Sequence, residues 1–203
     1  MTAVLDLVRH GAPAGGRRFR GGTVDDPLTP RGWDQMWAVL PAEPPWTAIA
    51  SSPMLRCRAF AEAAAVRLGL PWQVEERLRE VGFGAWEGRA HAEVEAREPA
   101  AYHAFYADPV RARPPGAEPL DRFVARVGAA LEDLARDHAG GHLLVVAHAG
   151  VIRAAVVHAL GAPPGAMYRL AVPHAAVTRL EHGGGRWQVR FVNAGGAVPP
   201  ATG

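Results

Sequence analysis

Arg9-His10-Gly11 leaves the end of an apolar run, Ala3-Val4-Leu5-Asp6-Leu7-Val8, and joins a cation to an imidazole nucleophile. A phosphate monoester carries close to two negative charges, so a nucleophile reaches phosphorus only where fixed donors offset that charge. The planar fork of arginine suits the task. Alone, such a triplet is more often an exposed strand end than a site. Three distant segments change that: Arg56 after Ser51-Ser52-Pro53, Glu80 within Leu78-Arg79-Glu80-Val81-Gly82-Phe83-Gly84, and His148 closing Val145-Val146-Ala147. Arg9 and Arg56 are expected to hold the phosphoryl oxygens. A neutral His10 can attack phosphorus in line and form a phosphohistidine, splitting one hydrolysis into two displacements. Glu80, kept protonated by a crowded anionic site, gives a proton to the leaving alkoxide and then takes one from water. Glu87, seven residues on, competes for that role. His148 adds a donor to the transferring group, helped by the amides of Ala149 and Gly150 where a helix is expected to begin. This chemistry requires neither a metal nor a cofactor.

The elements that must position these residues are legible as apolar runs. Strand-like stretches fall at residues 3–8, 47–51, 72–76, 142–147, 166–172, 176–181 and 186–192. Helical periodicity marks residues 30–40, opened by Pro30, then 53–68, 117–137 and 150–160, the last ending at Gly161. The alternation predicts an α/β sandwich. Pro173 and His182-Gly183-Gly184-Gly185 divide the last strands, which makes the C-terminal part antiparallel and the sheet mixed. Arg9-His10, Ser51-Ser52 and Ala147-His148 all stand at carboxyl ends of strands, where open α/β sheets bind ligands. Residues 97–118, with four prolines among aromatics and arginines, predict an irregular insertion that caps the substrate. Residues 194–203 predict a loose tail, and no linker or repeat divides the rest, so residues 1–203 are expected to form a single domain.

The composition is that of an ordinary globular chain: 203 residues, 49% hydrophobic and 21% charged. All 22 basic residues are arginines, against 20 carboxylates, and they are scattered among acidic neighbours rather than clustered with aromatics. Nucleic acid is therefore not an expected partner. No apolar stretch approaches the roughly 20 residues of a membrane helix. One cysteine, Cys57, rules out an intrachain disulfide, and no signal peptide is apparent, so a cytoplasmic setting is expected. The other seven histidines lack ligand spacing, and of these His174 is the one of interest. Trp86, Tyr102, Phe105 and Tyr106 read as core or cap packing before they read as a stacking platform.

Taken in order, Leu7-Val8-Arg9-His10-Gly11, Asp26-Pro27-Leu28-Thr29-Pro30-Arg31-Gly32, Ser51-Ser52-Pro53-Met54-Leu55-Arg56, Leu78-Arg79-Glu80 through Trp86-Glu87-Gly88, and Val146-Ala147-His148-Ala149-Gly150-Val151 resemble the histidine phosphatase superfamily, with its phosphoglycerate mutase-like fold. The resemblance implies a three-layer α/β/α sandwich around a mixed, mostly parallel sheet. It also implies a phosphohistidine at His10, phosphate contacts from Arg9, Arg56 and His148, and a proton donor at Glu80. Ala149-Gly150 after His148 and Ala12-Pro13 after Gly11 match the mutase and small-phosphatase branch rather than acid phosphatases. Mutases carry Glu-Arg-His-Tyr-Gly around the proton donor, whereas Glu80-Val81-Gly82-Phe83-Gly84 lacks that arginine. Arg20-Gly21-Gly22, Asp25-Asp26, Leu28-Thr29 and Gly32-Trp33 are similar to α-ribazole phosphatases of cobalamin assembly. The resemblance thus implies a metal-independent phosphomonoester hydrolase with α-ribazole 5′-phosphate as its small-molecule substrate. A broad sugar phosphate or nucleotide phosphatase is the nearest alternative, ahead of a mutase or an inactive phosphate-binding protein. By the same likeness Gly22, Thr23 and the Ala149 amide are candidate substrate contacts. The chain departs from the family's pattern at Ala12, Gly16 and His174, the last standing where an asparagine often precedes the late strand.

Overall fold

A computed structural model describes residues 1–196. Six strands form one sheet in the order β3-β2-β4-β1-β5-β6. They are β1 (Ala3–Arg9), β2 (Ala48–Ser51), β3 (Trp72–Val74), β4 (His142–Ala147), β5 (Val177–Gly183) and β6 (Arg186–Ala194). The first four in that spatial order are parallel, β5 runs antiparallel to β1, and β6 runs antiparallel to β5 and so returns to the direction of the first four. Gly184 and Gly185 take positive φ (59° and 73°) in the β5–β6 turn, the left-handed pair that a tight hairpin needs. The mixed, mostly parallel sandwich expected from the sequence is the one observed.

Period-two alternation distributes the strand side chains to two cores. Leu5, Leu7, Leu143 and Val145 pack against α5 (Leu120–Asp137) and α6 (Ala149–Leu160). Val8, Ile49, Leu144 and Val146 pack against α1 (Pro30–Trp37) and α2 (Leu55–Leu68) on the other side. Thr29 caps α1 by accepting from Gly32 N (3.0 Å), with Pro30 following as the first helical residue. A polar network is buried within the sheet: Asp6 pairs with Arg179 (2.7 Å) and accepts from His142 (2.8 Å) and Trp46 (2.9 Å).

Two expectations are corrected. Residues 166–172 are not a strand, because Pro163-Pro164-Gly165 starts a 3₁₀ turn, Pro164–Arg169, that packs on α6 and buries Met167. The stretch from residue 97 is not irregular throughout. Two short helices, α3 (His91–Arg97) and α4 (Pro99–Ala107), stand end to end, and Pro99 begins the second at a position where its missing N–H has no intrahelical use. Trp86, Val94, Tyr102 and Phe105 gather around Phe19 in a third, aromatic core that ties these helices to the loop after β1. Of the expected tail, Ala194 ends β6, and residues 197–203 lie outside the described residues.

Candidate active site

The register of β1 against β4 pairs Arg9 with Ala147, so His10 and His148 leave the sheet side by side. His10 N–H still donates to the Ala147 carbonyl (2.9 Å), the last rung of the ladder. Their rings are 5.3 Å apart, edge to face. The His10 Nδ1–H donates to the Gly11 carbonyl (2.8 Å). A carbonyl only accepts, so in the neutral ring the Nε2 atom keeps its lone pair. Burial, followed by the Arg56 and Arg9 charges, holds the imidazole well below its ordinary pKa. At neutral pH the His10 ring is uncharged.

Arg9, His10, Arg56 and Glu80 line one cavity of about 660 Å³, together with Ala149 and His174. Arg56 is 1% exposed and its Nη1 donates to the Val24 carbonyl (2.8 Å), with Nη2 reaching the Arg20 carbonyl (3.5 Å). Arg9 Nη1 donates to the Val172 carbonyl. The Nε–H groups of both arginines are buried with no partner in the protein, which is costly unless an acceptor enters the cavity. Burial pushes Arg9 down to about 10, with Glu80 opposing the shift and Arg153 adding to it, so Arg9 stays a cation at neutrality.

Glu80 is fixed by two main-chain donors, Val81 N to Oε1 (2.9 Å) and Gly150 N to Oε2 (3.2 Å). The second belongs to the first turn of α6, where the amides have no partner within the helix. Glu80 can approach so closely because residue 150 is glycine: a Cβ there would stand 2.1 Å from Oε1. Glu87, the competing carboxylate, is bound by Thr23 and by Phe83 N (2.9 Å) and lines a different cavity.

The other expected residues divide. Ala149 lines the main cavity as the first residue of α6. His148 is 0% exposed and is not among the cavity's lining; it lies behind His10 with Nε2 against Ser52 Oγ (2.7 Å). Cys57 Sγ sits beside the same ring, 3.6 Å from Nε2 and 3.7 Å from Nδ1. Gly22 and Thr23 lie apart from His10, in a neighbouring cavity of about 510 Å³ shared with Arg79 and Glu118. The tie of Thr23 to Glu87 turns that part of the loop away, and its Arg20 and Val24 carbonyls hold Arg56.

Several cavity residues escaped the sequence reading. Arg17, Arg18 and Arg20 come from the loop after β1, and Arg153 from α6. Arg17-Arg18-Phe19-Arg20 was visible as a basic run, and Arg153, three residues after Gly150, lies on the same helical face. Arg20 is paired with Asp26 (2.7 Å), and Arg153 donates to the Leu170 carbonyl (2.7 Å). His91, expected at the surface or in a core, lines the outer wall of the cavity and stacks on Phe19 at 3.9 Å. Tyr106 and Phe105 of α4 and Tyr168 complete an aromatic side. Among the described residues no group of three His, Cys, Asp or Glu side chains is arranged to hold a metal ion, and no helix is long and apolar enough to cross a membrane.

These features agree with what comparison with known proteins finds. Residues 5–195 match the family model of the histidine phosphatase superfamily, branch 1. The chain belongs to that superfamily. A bifunctional protein of Mycobacterium tuberculosis is 33% identical over 197 residues, 95% of this chain but 54% of that protein, so the chain spans about half the length of this relative. The solved structure of a mycobacterial glucosyl-3-phosphoglycerate phosphatase superposes with a TM-score of 0.84 at 29% identity, covering 96% of this chain and all of that one (100%). That of a putative α-ribazole-5′-phosphate phosphatase from Escherichia coli gives 0.81 at 25% identity, covering 98% and 99%.

Proposed function

We propose that the chain hydrolyses phosphate monoesters through a phosphohistidine at His10, without a metal ion. The observation that carries this is the locked tautomer of His10, a buried neutral imidazole whose Nδ1–H is committed to Gly11, beside two guanidinium groups with unpartnered buried Nε–H donors. Arg9 and Arg56 receive the phosphoryl oxygens, and the Ala149 amide at the start of α6 adds a donor. His10 Nε2 attacks phosphorus, the P–O ester bond breaks, and Glu80 gives its proton to the leaving oxygen. Water then attacks the phosphohistidine, Glu80 takes its proton, the P–N bond breaks and inorganic phosphate leaves. His148, held by Ser52, packs edge to face behind His10 and steadies its ring. Helices α3 and α4 act as the cap.

For the substrate, α-ribazole 5′-phosphate is supported by the loop pattern from Arg20 to Trp33 and by likeness to the E. coli structure. The aromatic side of the cavity suits its base. A second reading is favoured by a specific observation: Arg17, Arg18, Arg20 and Arg153 line the cavity in addition to the phosphate-holding pair. That surplus suits a leaving group with an acid of its own, as in the glucosyl-3-phosphoglycerate of the mycobacterial neighbour's name. The deciding experiment measures phosphate released from α-ribazole 5′-phosphate, sugar phosphates, nucleotides and phosphoglycerates, with and without a chelator. Acid-labile phosphate on the wild-type chain and its loss in His10→Ala are expected. Full activity in His10→Ala, or activity abolished by chelation, refutes the mechanism.

A further inference from the structure

His174 lines the cavity beside His10, and the mechanism above leaves its chemistry unused. It precedes β5 and lines the same cavity as Arg9, His10 and Glu80. Its ring centre is 5.7 Å from that of His10, tilted by 43°, and no hydrogen bond joins the two rings. His148 flanks His10 at a similar distance, but from the buried side, so His174 is the only neighbouring imidazole of the described residues that opens on the space where His10 reacts. Its backbone is placed with care. Ala175 has φ of 56°, one of two non-glycine residues among those described to adopt the left-handed region. The turn is closed by Ala176 N to the Pro173 carbonyl (3.3 Å) and clipped to β1 by Ala175 N to the Arg9 carbonyl (3.0 Å) and Arg9 N to the Ala176 carbonyl (3.2 Å). A left-handed alanine is a cost the surrounding structure imposes, and such strain gathers where a side chain must be aimed. The strained turn is thus fastened to the residue that precedes the nucleophile.

We infer that His174 is a substrate-contacting residue whose ring N–H donates to the phosphoryl group as it passes to and from His10. Burial and the charges of Arg9, Arg20 and Arg31 push its pKa down to about 4, so the ring is neutral at pH 7 and presents one N–H and one lone pair. Among phosphoryl oxygens, which only accept, the N–H is the useful partner. The contact is to a non-bridging phosphoryl oxygen rather than to the leaving group, so it serves every ester equally.

The inference rests on the phosphohistidine reading, and two measurements keep the failures apart. Binding of inorganic phosphate, measured by calorimetry on the full chain, needs no turnover. Hydrolysis of p-nitrophenyl phosphate and of glycerol phosphate by the wild type tests the activity itself. His174→Leu is expected to weaken phosphate binding about tenfold or more, the scale of a lost hydrogen bond to a charged group, and to lower kcat/KM on both esters by a similar factor. His174→Asn, which keeps an N–H donor, should stay within roughly threefold of wild type. Should the leucine variant fail to fold, His174→Ala replaces it. Unchanged phosphate affinity overturns the inference, and so does a loss confined to glycerol phosphate, which would assign His174 to the leaving group. A wild-type chain that binds phosphate but hydrolyses no ester would refute the activity while leaving the phosphate contact measurable.

Discussion

Gly150→Ala tests the proton-transfer half of the mechanism without touching a reacting group. The added Cβ would stand 2.1 Å from Glu80 Oε1, 3.1 Å from its Cδ and 3.3 Å from Val81 Cγ1. The first distance is far inside van der Waals contact, so the carboxylate must swing away. It would then lose the Gly150 N–H (3.2 Å), a hydrogen bond worth about 0.5–1.5 kcal/mol. Overpacking of this kind costs about 1–3 kcal/mol of stability, and for a chain of this size each kcal/mol lowers Tm by about 2–4 °C. Overpacking alone is expected to lower the melting point by about 2–12 °C, with the fold retained. The kinetic effect is larger and selective. A displaced general acid costs about 10²–10⁴-fold where the leaving oxygen needs its proton, as in glycerol phosphate, and much less for p-nitrophenyl phosphate, whose phenolate leaves unaided. Steady-state kinetics on the two esters, with circular dichroism as the control for folding, gives the answer. Equal losses on both esters, or none on either, would refute the role of Glu80 and of its seat on α6.

Two further outcomes follow from buried groups. Burial alone would raise the Asp6 pKa, but hydrogen bonds from His142, Arg179 and Trp46 outweigh it and the net shift is downward. Stabilisation from Asp6 is therefore complete above its unfolded pKa and lost as the pH falls through the lower folded value. Asp6→Asn should cost about 3–5 kcal/mol in urea denaturation at pH 7, and the deficit should shrink as the pH drops below about 4; a deficit independent of pH would contradict the linkage. Cys57 is buried, and burial drives its thiol pKa upward, so a disulfide reagent should leave it unmodified in the native chain and label it only in denaturant. Rapid native labelling would show the packing around His148 to be looser than described.

The strands at residues 3–8 and 142–147 were legible because they are buried on both sheet faces and read as nearly continuous apolar runs, broken only by Asp6 and His142. The ends of those runs located His10 and His148, since the sheet brings the ends of adjacent parallel strands to one level. The 3₁₀ turn at Pro164–Arg169 misled because its apolar residues, like those of a short strand, face a core, and only the prolines before it indicate otherwise. Helices α3 and α4 were hidden by Pro99, which reads as a breaker inside a run but as a starter at its head. The second ring of arginines was illegible for another reason: whether a basic run faces solvent or a cavity depends on the aromatic core formed by Phe19 and Phe105, residues 86 positions apart. Likewise, only the geometry shows that His148 lies behind His10 rather than on the cavity wall.

The attachment of Arg56 to the Val24 and Arg20 carbonyls has a consequence for anyone re-engineering this chain. Redesigning residues 20–24 to admit a new substrate would also loosen the Arg56 guanidinium, so under the proposed mechanism altered selectivity there would come with weaker binding of every ester. Helices α3 and α4 carry no such penalty. They meet the loop after β1 through the aromatic core around Phe19, so with Val94, Tyr102 and Phe105 kept, the remaining positions of residues 91–107 are the ones to randomise when a different alcohol is to be released.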